Sequence, residues 1–207
     1  LGDTAQEYSH TKVVRITQKE DFNSNKCVDS IATDIRARPG ISLHGSLPCT
    51  VWSQWQLMCL HRYGTKYAKN LATRRAASRQ QLRSFIKLAE LAFDGGGEVS
   101  FEWPRHCAGW MLPELQQFIA VNALHVVYVD GCACGMQDSN GDPILKQWTF
   151  VTSSQRLATG LSTLRCAHER GFRHGEICGK ETKRTEEYPV PLCRTLLSSL
   201  FSHSHHA

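Results

Sequence analysis

The chain contains no apolar run near the roughly 20 residues that span a bilayer, which excludes a membrane-spanning helix and sets the expectation of no membrane partner. A charged-then-apolar leader is missing from its start, so no secretory signal is read there. No stretch repeats, which excludes a repeat array. There is no paired Cys-x-x-Cys knuckle and no glycine-rich turn after the first candidate strand. The chain opens on Leu1 rather than Met, as a fragment would.

Acids are in short supply. Asp and Glu number 19 against 24 Lys and Arg, giving +5 and a pI near 8.8, a balance that admits an anionic partner. The hydrophobic fraction is 41% and the charged fraction 21% over 207 residues, which indicates a folded chain with a sizeable core. Nine cysteines, an odd number in a long, core-forming chain, do not suit a disulfide framework, which is more at home in small secreted domains. Reduced thiols in an intracellular compartment, nuclear or cytoplasmic, are expected.

Read in order, Val13–Thr17 is a β-branched strand. Asp21 to Arg38 reads as a helix, capped by Asn23 or Ser24, with Cys27, Ile31 and Ile35 on one face and Pro39-Gly40 as its stop. The strand Ile41–Ser46 delivers Leu47-Pro48-Cys49-Thr50. Val51–Tyr63 reads as a loop, and Lys66–Phe93 as a long helix ended by Gly95-Gly96-Gly97. The strand Glu98–Phe101 delivers Glu102-Trp103-Pro104. Leu112–Asn122 is a helix with Pro113 in its first turn. Leu124–Val129 is a strand ending at Asp130-Gly131-Cys132. A turn-rich segment leads to an antiparallel edge strand, Trp148–Thr152, and a short helix, Ser153–Leu164. Beyond Arg165 no element is assigned.

This order predicts a three-layer α/β sheet. Residues 1–160 form the α/β domain, and 161–207 a partly disordered extension bearing Cys and His. In open α/β sheets chemistry collects beyond the carboxyl ends of the strands. Cys49 and Glu102, delivered there by neighbouring strands, form a nucleophile and an acid at one mouth.

The strand-then-Pro48-Cys49, the strand-then-Glu102, the strand ending at Asp130 and the closing hairpin to Thr152 resemble the catalytic half of DNA cytosine-5 methyltransferases. The likeness covers about residues 13–153, and segments in protist mobile-element polyproteins look similar. The resemblance implies a Rossmann-like sheet, mostly parallel with an antiparallel edge hairpin and lacking the first strands. It implies Cys49 as the nucleophile on cytosine C6, Glu102 on the ring, and a base flipped out of its stack. Pro48, Trp52, Asp130 and Lys146 would line the substrate. Thr50 stands where the family has Gln, Trp103-Pro104 where it has Asn-Val, and the paired hairpin arginines are absent. S-adenosylmethionine is the implied cofactor. Asp21 is the one acid assigned to it and cannot replace a glycine loop, so neither cofactor binding nor turnover is expected of this chain.

Arg74, Arg75, Arg79 and Arg83 lie with Lys66, Lys69 and Lys87 on one face of the long helix, opposed only by Glu90, a pattern suited to phosphate backbones. The partner is therefore nucleic acid, with DNA favoured by the resemblance. Trp52 and Trp55 could stack on a base. Cys166, His168, His174 and Cys178 offer two thiols and two imidazoles, which suits zinc. Two other readings remain open: a non-catalytic nucleic-acid-binding module of a mobile-element polyprotein, and a thiol hydrolase built on Cys49. The sequence leaves the oligomeric state open.

Overall fold

The computed structural model describes residues 1–8, 12–17, 19–177, 182 and 185–200. Among them are four strands and five α-helices, an α/β composition. The chain forms two compact units, one Ile16–Leu124 and the other Leu1–Arg15 with His125–Ala207.

In the first unit, helix α1 (Asn25–Arg36) starts where Ser24 Oγ accepts the Cys27 N–H at 3.4 Å, and it buries Val28, Ala32 and Ile35. Strand β1 (Leu43–Gly45) follows. Helix α2 (Trp55–Asp94) begins well before Lys66, because the expected loop is itself helical from Trp55. Its two segments meet at Gly64, whose φ of 60° and ψ of −147° only glycine adopts without strain. The long segment buries Leu71, Leu82, Phe85, Leu88, Ala89 and Ala92 at helical spacing and ends on the expected glycines. Strand β2 (Val99–Pro104) is buried through Trp103, and α3 (Pro113–Val121) carries Pro113 in its first turn.

Strands β1 and β2 run parallel, with Leu43 opposite Val99, His44 opposite Ser100 and Gly45 opposite Phe101. The aromatic core of this unit joins them to the helices. The Phe85 and Phe101 rings lie 5.1 Å apart, Phe101 and Trp103 4.9 Å, and Phe93 and Phe118 6.2 Å.

In the second unit, β3 (His125–Asp130) and β4 (Gln147–Thr152) pair antiparallel over their full lengths, as expected, but the edge strand is β3 and not the expected β4. Ser154 caps α4 (Gln155–Ser162) by accepting the Leu157 N–H at 3.4 Å. A fifth helix, α5 (Val190–Leu200), occupies a stretch where the sequence showed no element. Val129, Ile144, Trp148, Phe150, Leu157, Leu161, Leu192 and Leu196 make one hydrophobic core.

Two expectations need correction. The ladders are mostly antiparallel rather than mostly parallel: the parallel pair spans three residue pairs and the antiparallel pair six. Pro39 and Pro48 bracket β1, and proline cannot donate to a ladder, so the parallel register is short. Residues 12–17 form no strand either; β-branched propensity without a paired neighbour makes no ladder.

Helix α5 supplies core, so truncating it should be costly. Leu196→Ala, at a fully buried position, is expected to destabilise the second unit by about 2–5 kcal/mol. Leu57→Ala, exposed on α2, should change stability by no more than about 0.5 kcal/mol. Urea melts of the two variants check this; equal midpoints would remove α5 from the core.

Candidate functional site

The parallel register carries both halves of the expected mouth to one end of the β1–β2 pair. Gly45 and Phe101 are opposite one another, so Cys49 follows the carboxyl end of β1 while Glu102 sits near that of β2. Trp103 fixes the loop between: it is buried, and its indole N–H donates to the Leu47 carbonyl at 2.8 Å. Cys49 then opens a 3-10 turn, Thr50–Trp52, whose Trp52 N–H returns to the Cys49 carbonyl at 2.8 Å. Glu102 is 3% exposed, and its Oε2 accepts from Ser46 Oγ at 2.9 Å.

Cys107, which the sequence did not single out, belongs to the same end. Burial pushes its thiol up to about 12, and the neighbouring Cys49 and Glu102 charges add to the rise. Ser46 and Cys107 were invisible because neither lies in a motif; the strand register alone brings them in.

A groove of about 300 Å³ opens beside Cys49, lined by Pro48, Thr50, Val51, Arg74, Ala77, Ser78 and Gln81. Trp52 does not offer a stacking face to it. It is buried, donates its indole N–H to Ser78 Oγ at 2.9 Å, and has the Arg75 guanidinium 5.1 Å from its ring centroid. Trp55, 70% exposed, does present a ring to solvent.

The basic face of α2 is largely spent on the fold. Arg75 Nε donates to the Val51 carbonyl at 3.1 Å. Arg79 grips Glu114 of α3 with two bonds, at 2.8 and 3.0 Å, and Arg83 lies 3.8 Å from the same carboxylate. The Arg79 guanidinium accordingly holds Glu114 below the usual carboxylate range. Lys87 reaches Asp29 of α1 at 3.7 Å. Glu90 is therefore not their sole counter-charge. Lys66, Lys69 and Arg74 remain exposed.

Asp21 is exposed, and its Oδ1 accepts the Asn23 N–H at 3.1 Å in the turn before α1. No strand precedes it among the described residues of its unit, and residues 3–39 contain no glycine. These residues do not fit S-adenosylmethionine, whose close backbone approach needs a glycine turn.

The second unit holds a different site. Asp130, buried at the end of β3, accepts from Gln147 Nε2 at 2.9 Å, Arg165 Nε at 2.8 Å and the Cys166 N–H at 2.9 Å. Burial pushes its pKa up, but the Cys166, Arg165 and Gln147 donors outweigh it and hold the carboxyl low. Lys146 donates to the Thr185 carbonyl and lies 5.4 Å from the Trp148 ring centroid. Both residues thus have structural work within this unit.

Beyond Asp130, Cys132, Cys166, His168 and His174 bring four donor atoms within 4.8 Å of one another, a cluster that can hold a metal ion. Cys166 Sγ is 3.2 Å from His168 Nδ1 and 3.4 Å from His174 Nε2. Three of these were expected. Cys178 lies outside the described residues. Cys132 was not among them, because its partners come more than thirty residues later and local spacing cannot reveal them.

His44 of β1 supplies a pH dependence. Its Nδ1 is 2.7 Å from Ser100 Oγ, and burial pushes its pKa down to about 4. The folded state keeps the ring neutral while the unfolded chain binds a proton below about pH 6.5, so stability is lost on acidification from about 6.5 toward 4. The slope reaches about 1.4 kcal/mol per pH unit. Urea midpoints at neutral and mildly acid pH should fall less in His44→Gln than in the parent; parallel falls would contradict the assignment.

No protein-family model matches the chain, nor does any curated protein or solved structure, and its function is read from its own residues.

Proposed function

We propose that this chain carries the nucleic-acid end of a DNA cytosine-5 methyltransferase-like domain, of Rossmann-like design, in which Cys49 and Glu102 engage a pyrimidine base. One observation carries the reading: parallel pairing of β1 and β2 sets a thiol and a buried acid past the same end of adjacent strands. A thiolate at Cys49 adds to ring carbon 6. Glu102, protonated, donates to the ring nitrogen at position 3 and so lets the ring accept the electron pair. Ser46 orients that carboxyl. Trp103, in place of the family's Asn, holds the cysteine loop instead of touching the base.

No methyl-transfer step is derived, because the residues around Asp21 do not fit the donor. Of the two cofactors suggested by the sequence, zinc is the one for which the described residues offer a donor set. The misfit also favours a second reading, a non-catalytic nucleic-acid-binding module of the kind found in mobile-element polyproteins.

An oligonucleotide bearing 5-azacytosine tests the first reading without a methyl donor. Sγ bonds to carbon 6, the ring electron pair moves to the nitrogen at position 5, and water supplies its proton. The parent chain should form a covalent adduct that denaturing electrophoresis retains. Cys49→Ser should form none, and Glu102→Gln should form it at least about 100-fold more slowly. No adduct with the parent chain would leave the binding module standing alone.

Nucleic-acid binding by either route should rest on the cations left at the surface of α2. Reversing Lys66, Lys69 and Arg74 to Glu should weaken affinity and flatten its logarithmic salt dependence by roughly one per lost phosphate contact. Arg79→Glu should act on stability instead, through Glu114. Unaltered salt dependence in the triple variant would place the partner elsewhere.

A further inference from the structure

We propose that Cys132, Cys166, His168 and His174 bind one Zn²⁺ in a closed tetrahedral site that folds residues 165–177 against the end of β3. The inference is independent of the pyrimidine reading, since every residue it uses lies in the second unit.

Donor type and spacing agree. Two thiols and two imidazoles make a Cys2His2 set. A tetrahedral zinc about 2.3 Å from sulfur and about 2.0 Å from nitrogen has ligand-to-ligand edges of roughly 3.3–3.8 Å. The observed 3.2 and 3.4 Å from Cys166 Sγ to the two imidazole nitrogens, with all four atoms inside 4.8 Å, need only small adjustment to reach that shape.

The ligands come from two places that topology joins. Cys132 lies in the 3-10 turn Gly131–Cys134 that ends β3. Gly131 allows this turn to press on β4: its N–H donates to the Lys146 carbonyl at 2.7 Å, and a Cβ there would meet that oxygen at 3.1 Å. Cys166 follows α4, and Asp130 fixes its backbone through the 2.9 Å bond from its N–H. One buried carboxylate therefore links the strand that delivers Cys132 to the segment that delivers Cys166.

The imidazoles are oriented as well. Phe172 stacks on His168 with ring centroids 4.0 Å apart and planes 13° apart, and its edge meets His174 at 5.0 Å. Support of this kind around a ligand holds its ring at the angle a metal needs.

The segment needs such a clasp. Residues 165–177 contain no helix or strand, and most are exposed, Phe172 at 43% among them. Among the described residues their backbone bonds are few: Cys166 N–H to Asp130 Oδ2, Phe172 N–H to Glu169 O, and Gly175 N–H to Pro143 O at the bridge to Ile144. A stretch with so little apolar burial gains its order from cross-links rather than from core. With four protein donors no position is open for water or substrate, so the ion is structural.

Cysteine binds zinc as thiolate, so uptake of Zn²⁺ by Cys132 and Cys166 releases their protons to solvent.

The whole chain, purified without chelator, should carry one zinc per chain by mass spectrometry of the metal. Co²⁺ exchanged into the parent protein should show intense tetrahedral visible bands with thiolate-to-cobalt charge transfer, a readout that needs no variant to fold. Cys132→Ser should lose the metal, whereas Cys178→Ser, the donor that the local pattern alone would nominate, should keep it. Chelation should lower the thermal midpoint and raise proteolysis within 165–177. A metal-free protein that gives a pale octahedral cobalt spectrum would overturn the proposal. So would a Cys132–Cys166 disulfide in place of metal, or loss of metal from Cys178→Ser but not from Cys132→Ser.

Discussion

A carboxylate withdrawn from water must be matched by donors or it will take up a proton. Asp130 is matched three times, by a side-chain amide from β4 and by a guanidinium and a backbone N–H from the stretch after α4. The donors come from two segments, Gln147 and the adjacent pair Arg165-Cys166, each well separated in sequence from Asp130, so the charge is stable only when those segments converge. Its backbone joins the same point, the Asp130 N–H donating to the Leu164 carbonyl at 2.9 Å. The end of β3, the start of β4 and the run from Leu164 to Cys166 are thereby locked together, and the placing of Cys132 and Cys166 follows from that lock. Removing one donor would leave a buried charge partly bare, which costs more than the bond itself contributes.

In the first unit the comparable constraint is aromatic. Phe101 and Trp103 alternate with Ser100 and Glu102 along β2, and all four are buried. The rings pack with Phe85 and Trp110, at 5.1 and 5.9 Å. The polar pair finds His44 and Ser46 from the β1 side. Because side chains alternate along a strand, packing the rings commits Ser100 and Glu102 to the other face. Glu102 is therefore presented by the same physics that builds the core, and the Trp103 indole N–H carries the Cys49 loop to that end of the strands.

Local chemistry was legible in the sequence where it determines structure. Ser24 before α1, Pro113 at the start of α3, the glycines after α2 and the turn-rich run before β4 all marked their elements. What escaped depended on distant partners. Val13–Thr17 has strand propensity and no ladder. The first turns of α2 carry exposed Trp55, Leu57 and Met58, which make no amphipathic stripe, and Gly64 breaks the pattern. Helix α5 was hidden behind a Cys- and His-rich stretch, and its leucines make sense only against the β3–β4 hairpin and α4. At the sites, Pro48-Cys49 and Glu102 stood at readable strand ends. Cys132 joined the Cys/His cluster, and Asp130 became its anchor, only through contacts formed across more than thirty residues.

The helix α2 shows why charge counting along one element misleads. Seven cations lie on its exposed side in sequence, yet Glu114 comes from α3 and Asp29 from α1. The bidentate Arg79–Glu114 contact has geometry that Lys could not reproduce, and it ties α3 to α2 at a partly shielded point. Arg75 reaches back to the Val51 carbonyl and covers Trp52, so it braces the turn that follows Cys49. These arginines serve the mouth by holding its walls. Arg74, one residue away and a wall of the groove beside Pro48 and Thr50, faces outward because a helix turns about 100° per residue. Neighbours in sequence thus differ in role, Arg75 supporting the cysteine loop and Arg74 lying exposed at the groove wall beside Tyr67.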